Sequence, residues 1–289
     1  MEGIGIMKLV KIERNGANAE GIVEGEFVRV VGLWREGAAN DAPFDLSRLT
    51  GDDLAQLPRG ETLPLSAVTL AVPIDPRARI FCVGMNYRDH VGEIKQEVAT
   101  NPTIFTRSLD TLVPHGAPVV RPKVSEQFDY EGEIAIVIGT AARHVRSEDA
   151  LAHVGGYTCF MDGSVRDYQK HSLTAGKNFA CSGAMGPWIV TADEFDRIGN
   201  GARDPLLQTR LNGATVQSAH ASQMIFDIPF VIAYISRWTE LRPGDVIATG
   251  TPGGVGSRRE PPLWMKAGDR VEVEVEGVGV LGSPVIDED

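Results

Sequence analysis

Apolar and polar positions alternate in short stretches along most of this chain, and runs at helical spacing are few. In Gly21-Ile22-Val23-Glu24-Gly25-Glu26-Phe27-Val28-Arg29-Val30-Val31 glycine separates apolar segments, which predicts a small hairpin-like β unit over residues 7 to about 35. Met7 opens the first recognisable strand, so residues 1–6 read as an extension ahead of it. Residues 36–70 are polar and mixed, with a short helix expected over 45–57, and Pro73, Asp75 and Pro76 mark a boundary near residue 73. Strand-type runs then crowd together at 80–83, 103–106, 134–138, 156–160, 188–190, 206–216, 246–248 and 271–280. Asn212-Gly213 is a two-residue hairpin turn between two of them. Helices are expected from Ser147 and over 230–241, the latter entered through Ile228-Pro229 and stopped by Pro243-Gly244. The pattern is mainly β with short helices (α+β): a small β-rich N-terminal domain, 1–72, and a larger domain, 73–289.

One strand departs from alternation. Ile134-Ala135-Ile136-Val137-Ile138 is apolar on both faces, as in a strand buried on both sides, and Asp129-Tyr130-Glu131-Gly132-Glu133 leads into it. Residues two apart on a strand share a face, so Glu131 and Glu133 point the same way. Two such carboxylates at the mouth of a buried strand repel each other and resist dehydration; a hard divalent cation such as Mg²⁺ satisfies both. That points to a metal-dependent enzyme. Arg270-Val271-Glu272-Val273-Glu274-Val275-Glu276 has the same acid spacing, but valine alternates with glutamate, which describes a half-exposed strand with a solvated acidic edge.

Composition narrows the partners. A net charge of −11 argues against nucleic acid and anionic membrane, although it leaves room for an anionic substrate where a cation reverses the local field. Cys82, Cys159 and Cys181 are far apart and form no CxxC, so they read as buried small residues in a reducing compartment. The N-terminus lacks the features of a signal peptide, and the longest apolar runs are too short to span a bilayer. A soluble, cytoplasmic protein is expected.

Further clusters carry candidate chemistry. Asp162 ends the strand Tyr157-Thr158-Cys159-Phe160 and enters a turn in which Arg166 and Gln169 fall on neighbouring faces. Alone it fits an N-cap; beside Glu131 and Glu133 it makes a third oxygen ligand. His90 and Glu93 are three apart, a spacing that lets a carboxylate orient an imidazole and raise its basicity, or that forms an ordinary surface contact. Lys177, after a polar loop, could pair with a substrate carboxylate or oxyanion, and alone reads as a surface lysine. Thr249-Gly250-Thr251-Pro252-Gly253-Gly254-Val255-Gly256 lacks the Lys and the helix of a nucleotide loop, but a tight turn offering backbone N–H and the Thr251 hydroxyl to an anion is consistent with it. His-Glu-x-x-His, Gly-x-Ser-x-Gly and Gly-x-Gly-x-x-Gly are absent.

Taken in order, these motifs resemble the fumarylacetoacetate hydrolase family from about residue 80 to 286. The resemblance is carried by Val83-Gly84-Met85-Asn86-Tyr87 with His90 and Glu93, by Asp129 to Glu133, and by Asp162 with Arg166 and Gln169. Lys177-Asn178-Phe179, Gly186-Pro187-Trp188, Asn212-Gly213 and Leu241 to Thr251 complete it. It implies a mixed β-roll or β-sandwich catalytic domain, usually a homodimer, with Mg²⁺ or Mn²⁺ on Glu131, Glu133 and Asp162. It implies a His90–Glu93 dyad that activates water, Lys177 and Gln169 as oxyanion donors, and Arg166, Thr251, Tyr87 and Arg107 as substrate contacts. Arg107 stands where many members carry Lys, a swap expected to change how the substrate's distal oxygen is held. The implied reaction is hydrolysis of a C–C bond in an acylpyruvate-type β-diketo acid, through an enolate held at the metal. An oxaloacetate-type decarboxylase or a 2-hydroxy-dienoate isomerase is the alternative on the same site.

Overall fold

Gly132–Ile138 is buried along its whole length, and its two faces serve two different cores. Ile134, Ile136 and Ile138 join Leu207, Val271 and Val273 on one side. Ala135 and Val137 join Cys82, Phe160, Met185, Val246 and Ala248 on the other. A strand sandwiched in this way has no solvent face to mark with polar residues, which is why its sequence does not alternate. The computed structural model describes residues 7–37, 59–89, 100–198 and 204–289, so the helix expected over 45–57 lies outside the described residues.

The strand is central in a 12-stranded mixed sheet. It runs antiparallel to Val154–Met161 on one side and to Val246–Ala248 on the other. Beyond Val246–Ala248 come Ile80–Gly84, parallel to it, and Thr103–Arg107. Beyond Val154–Met161 comes Gly183–Thr191, which pairs through Lys8↔Val190 and Leu9↔Ile189 with the first strand, Lys8–Arg14. Ala17–Glu24, Phe27–Glu36 and Arg59–Pro64 extend the same sheet as antiparallel neighbours.

A five-stranded sheet packs across one face, in the order Ala214–His220, Leu206–Leu211, Arg270–Val275, Gly279–Asp287 and Val119–Arg121. Its first hairpin turns at Asn212 and Gly213, both left-handed (φ 52° and 80°), the conformation a type I′ turn requires. Asn212 Nδ2 also donates to Asp269 Oδ1 at 2.9 Å. The expected strand over 271–280 is two strands, because the chain turns after Val275 through Gly277 (φ 77°). Arg270–Val275 is therefore an inner strand of its sheet, not an edge, although its glutamates still face outward.

Helical structure is short. Ser147–His153 is a 3-10 helix. Ile228–Ser236 starts with Pro229 in its first turn and with the Asp227 carboxylate accepting from Phe230 N–H, as an N-cap should. It stops short of the expected 241 because Leu241 exchanges both backbone hydrogen bonds with Ala142 instead. Among the described residues no helix is long and apolar enough to cross a membrane.

Candidate metal and substrate site

Glu131, Glu133 and Asp162 converge: one carboxylate oxygen from each lies within 4.8 Å of the others, and all three side chains are buried. Strand register brings this about. Gly132 pairs with Met161, so the residue after Met161 arrives beside Glu131, and Asp162 N–H donates to Glu131 O at 2.8 Å. Gly132 is needed between the two glutamates. A Cβ there would sit 2.0 Å from Thr209 Oγ1 of the second sheet, so only glycine lets the two sheets close at this level. Its backbone is tied as well, its N–H to Gln217 Oε1 (3.0 Å) and its carbonyl to the Thr251 hydroxyl (2.9 Å).

Cations surround the carboxylates. Lys177 Nζ bridges Glu131 Oε2 and Asp162 Oδ2. Arg166 lies 2.5 Å from Glu131 Oε1, donates from Nε to Asp129 Oδ2 (2.7 Å) and from Nη1 to Gln169 Oε1 (2.9 Å). Arg107 Nη1 lies 2.5 Å from Asp162 Oδ1. Burial opposes the charge on Lys177, but Asp162 and Glu131 outweigh it and hold its pKa above the ordinary lysine value. Arg166 is likewise raised, burial being outweighed by Glu131 and Asp129.

Glu133 is the exception. Its Oε2 accepts from Gly250 N–H at 2.8 Å, and it has no ion pair among the described residues. Burial first, then the neighbouring Asp162 and Glu131, push its carboxyl well above the usual range, despite Lys177. An all-oxygen, buried, anionic cluster with one carboxylate unmatched by charge fits a hard divalent cation, with Glu131, Glu133 and Asp162 as its holders.

The cluster lines a cavity of about 620 Å³. Lys177, Arg166, Gln169 and Thr251 line it too, and Val83, Met85, Phe105, Leu173 and Trp264 supply apolar wall. Lys177 is no surface lysine: it ends the helix Leu173–Lys177 and is 2 % exposed. A Cβ on the preceding Gly176 would come within 2.4 Å of Gln169 Cγ and 2.7 Å of its backbone N, so glycine lets this helix close on Arg166–Gln169.

Other candidate residues are engaged within the protein. The Arg107 side chain is fully enclosed behind Asp162, where Asp162, Gly163, Ser182 and Thr111 take up its donors, and it is not among the residues lining the cavity. Part of the Gly-rich turn is already engaged within the protein. Gly250 N–H serves Glu133, and Gly256 and Ser257 N–H serve Asp129, since these buried carboxylates need donors. The Thr251 hydroxyl is similarly engaged, donating to Gly132 O and accepting from Gln217 Nε2. Tyr87 is buried, its hydroxyl has no hydrogen-bond partner among the described residues, and it is not among the residues lining the cavity. His90 and Glu93 lie outside the described residues.

Two supporting residues had no role assigned from sequence. Asp129 continues the two-residue spacing of Glu131 and Glu133, and that parity was the available signal. Gln217, buried in the strand Ala214–His220, joins Gly132, Thr251 and Pro252, and nothing in its surroundings along the chain sets it apart.

Residues 79–286 match the family model described as fumarylacetoacetate (FAA) hydrolase, C-terminal. The chain is 39 % identical over 239 residues to the human mitochondrial oxaloacetate tautomerase FAHD2A, covering 80 % of this chain and 73 % of that one. The solved fumarylacetoacetate hydrolase of Exiguobacterium antarcticum superposes with a TM-score of 0.80 at 34 % identity, over 98 % of this chain and all (100 %) of that one. A 2-hydroxyhepta-2,4-diene-1,7-dioate isomerase from Mycobacterium marinum gives 0.77 at 30 %, over 98 % and 99 %. On the family match and this extent of likeness, the chain belongs to the fumarylacetoacetate hydrolase family.

Proposed function

We propose that the protein is a divalent-cation-dependent enzyme that interconverts keto and enol forms of a 2-oxo acid of the oxaloacetate class. The observation that carries this reading is the meeting, in one cavity, of the oxygen cluster Glu131, Glu133 and Asp162 with the donors Lys177, Arg166 and Gln169. A 2-oxo acid presents a carboxylate beside a carbonyl oxygen, so it suits a site offering both cation-holding oxygens and cationic donors. Mg²⁺ or Mn²⁺ on the three carboxylates would polarise the carbonyl and acidify the neighbouring C–H.

The chain's own groups do the rest. Arg166, locked by Asp129, Gln169 and Glu131, lines the cavity and holds fixed positive charge there to orient the substrate's carboxylate. The Lys177 ammonium supplies preorganised positive charge where the oxo oxygen gains electron density. The apolar wall keeps water from competing for these donors. The proton leaving carbon passes to the His90 imidazole, oriented by Glu93, as the family resemblance implies, and a proton returned from the imidazolium to the oxo oxygen completes the enol. The naming of the human relative as an oxaloacetate tautomerase supports this choice among the reactions such a site serves.

A second reading is hydrolysis of an acylpyruvate-type β-diketo acid. It is favoured by the apolar wall from Val83 to Trp264, which offers room beyond what a four-carbon acid fills. One experiment separates the two. The enol absorbance of oxaloacetate and of an acylpyruvate panel is followed with Mg²⁺, with and without EDTA, while pyruvate is assayed in parallel. Fast EDTA-sensitive loss of enol oxaloacetate without pyruvate is expected. Pyruvate from acylpyruvates makes the enzyme a hydrolase, pyruvate from oxaloacetate makes it a decarboxylase, and silence on every substrate sinks the reading.

A further inference from the structure

Arg107 ends the strand Thr103–Arg107, and its side chain is 0 % exposed. The guanidinium sits in a built socket. Nη1 donates to Asp162 Oδ1 (2.5 Å) and Gly163 O (3.1 Å), Nη2 to Ser182 Oγ (2.8 Å) and Nε to Thr111 Oγ1 (3.2 Å). The two hydroxyls are themselves fixed, Ser182 donating to Phe179 O and Thr111 to Ser108 O. Gly183 leaves the space: a Cβ there would lie 2.8 Å from Nη2 and 2.9 Å from Cζ. A planar fork with donors in set directions suits this socket, whereas an ammonium on a flexible stem cannot reach all four acceptors at once.

The consequence falls on Asp162. Its Oδ1 is committed to Arg107, and its Oδ2 turns to Lys177, on the Glu131 side. We propose that Arg107 is a positioning residue that fixes Asp162 so that Oδ2 alone is offered to the cation shared with Glu131 and Glu133. This rests on the cation site proposed above. Charge alone argues the other way, since a guanidinium behind the site repels a divalent cation. Arg107→Lys separates the two effects, because it keeps the charge and loses the geometry.

The test is calorimetric titration of the full chain with Mn²⁺, for the wild type, Arg107→Lys and Gly183→Ala, with circular dichroism confirming a folded state at the titration temperature. Partners behind metal ligands are worth about 10- to 100-fold in affinity, so Arg107→Lys is expected to weaken Mn²⁺ binding by about that factor. Gly183→Ala, which keeps every charge but crowds the guanidinium, should shift affinity the same way. In both variants saturating Mn²⁺ should recover most of kcat. A purely structural role would lower the melting temperature and leave the Mn²⁺ affinity of the folded protein unchanged. Wild-type affinity in Arg107→Lys overturns the proposal; should that variant not fold, wild-type affinity in both Gly183→Ala and Ser182→Ala does so. A wild-type protein that takes up no Mn²⁺ overturns the cation site itself, a different outcome from either.

Discussion

Two of the places where glutamates stand two residues apart, Glu131/Glu133 and Glu272/Glu274, end in opposite electrostatic conditions. Glu131 and Glu133 are buried among carboxylates, and the Glu133 carboxyl is driven well up by burial, Asp162 and Glu131. Glu272 lies a quarter exposed on the outer face of Arg270–Val275. Burial raises it somewhat, but hydrogen bonds from Arg210 and Arg270 win and hold it below the usual range. Both pairs share the spacing, and the difference lies in the strand that carries each. Isoleucine and valine on both faces after Glu133 commit that strand to two cores, while valine on one face of the second strand commits only half of it. A spaced acid pair therefore becomes a candidate cation site when its strand leaves it no solvent, and an ion-paired surface when the strand does.

The largest effect should come from breaking the first pair. Glu133→Ala, like thorough chelation, is expected to lower kcat/KM by more than about 100-fold, the upper range for groups one step behind a metal ligand. Glu274→Gln, at the matching place in the other pair, should leave kcat/KM within error. Enol-absorbance kinetics on both variants measures the contrast directly. Equal losses would remove the distinction between the two regions.

Lys177 comes next, because it belongs to the first region alone. Lys177→Met strips the ammonium from Glu131 and Asp162, and breaking a buried pair costs about 3–5 kcal/mol. Urea unfolding without added cation should show that loss. Part of it should return with Mg²⁺, which supplies positive charge to the same oxygens. Breaking the Arg210–Glu274 pair, whose glutamate is 42 % exposed, should cost under about 1 kcal/mol and be insensitive to Mg²⁺.

How much of this was legible depends on the range of the interactions. The doubly buried strand, the Glu131–Glu133 pair and the Asn212-Gly213 turn rest on local patterning, and the sequence signals for them were direct; Asp162, which alone fits an N-cap, joins the pair through a strand pairing that local pattern does not show. The enclosure of Arg107 was not legible, because its residue type says only that it carries a planar charge. Whether that charge faces a cavity or the back of Asp162 depends on Gly183, Ser182 and Thr111, which come from elsewhere in the chain. The same holds for those amides of the Gly-rich turn that serve Glu133 and Asp129. Lys177 looked like a surface residue because its helix is too short to show a periodic buried face.

Gln217 tests the link between the two sheets, with a smaller expected effect. Gln217→Ala leaves the Gly132 N–H buried without its acceptor, a loss of about 1–3 kcal/mol, and frees the Thr251 hydroxyl from its second partner. A melting-temperature drop with a modest fall in kcat/KM is expected. A drop in activity with no loss of stability would mean that Gln217 reaches the substrate rather than the scaffold.

The smallest effect, and the sharpest for the comparison, is in pH. The folded-state pKa of Glu272 is depressed, so the stability it contributes is complete above the unfolded value of about 4.3 and is lost as pH falls from there through the lowered folded value. Glu272→Gln should flatten the acid limb of the stability curve over that window by a fraction of a kcal/mol, the scale of partly exposed ion pairs. Near pH 7 it should cost no more than the ion pair with Arg210 is worth. Its Mn²⁺ affinity should equal that of the wild type, since Glu272 belongs to the arginine-paired face of the second sheet. A change in Mn²⁺ affinity on Glu272→Gln would show that the two acid pairs communicate across the packed sheets, and that burial alone does not divide their roles.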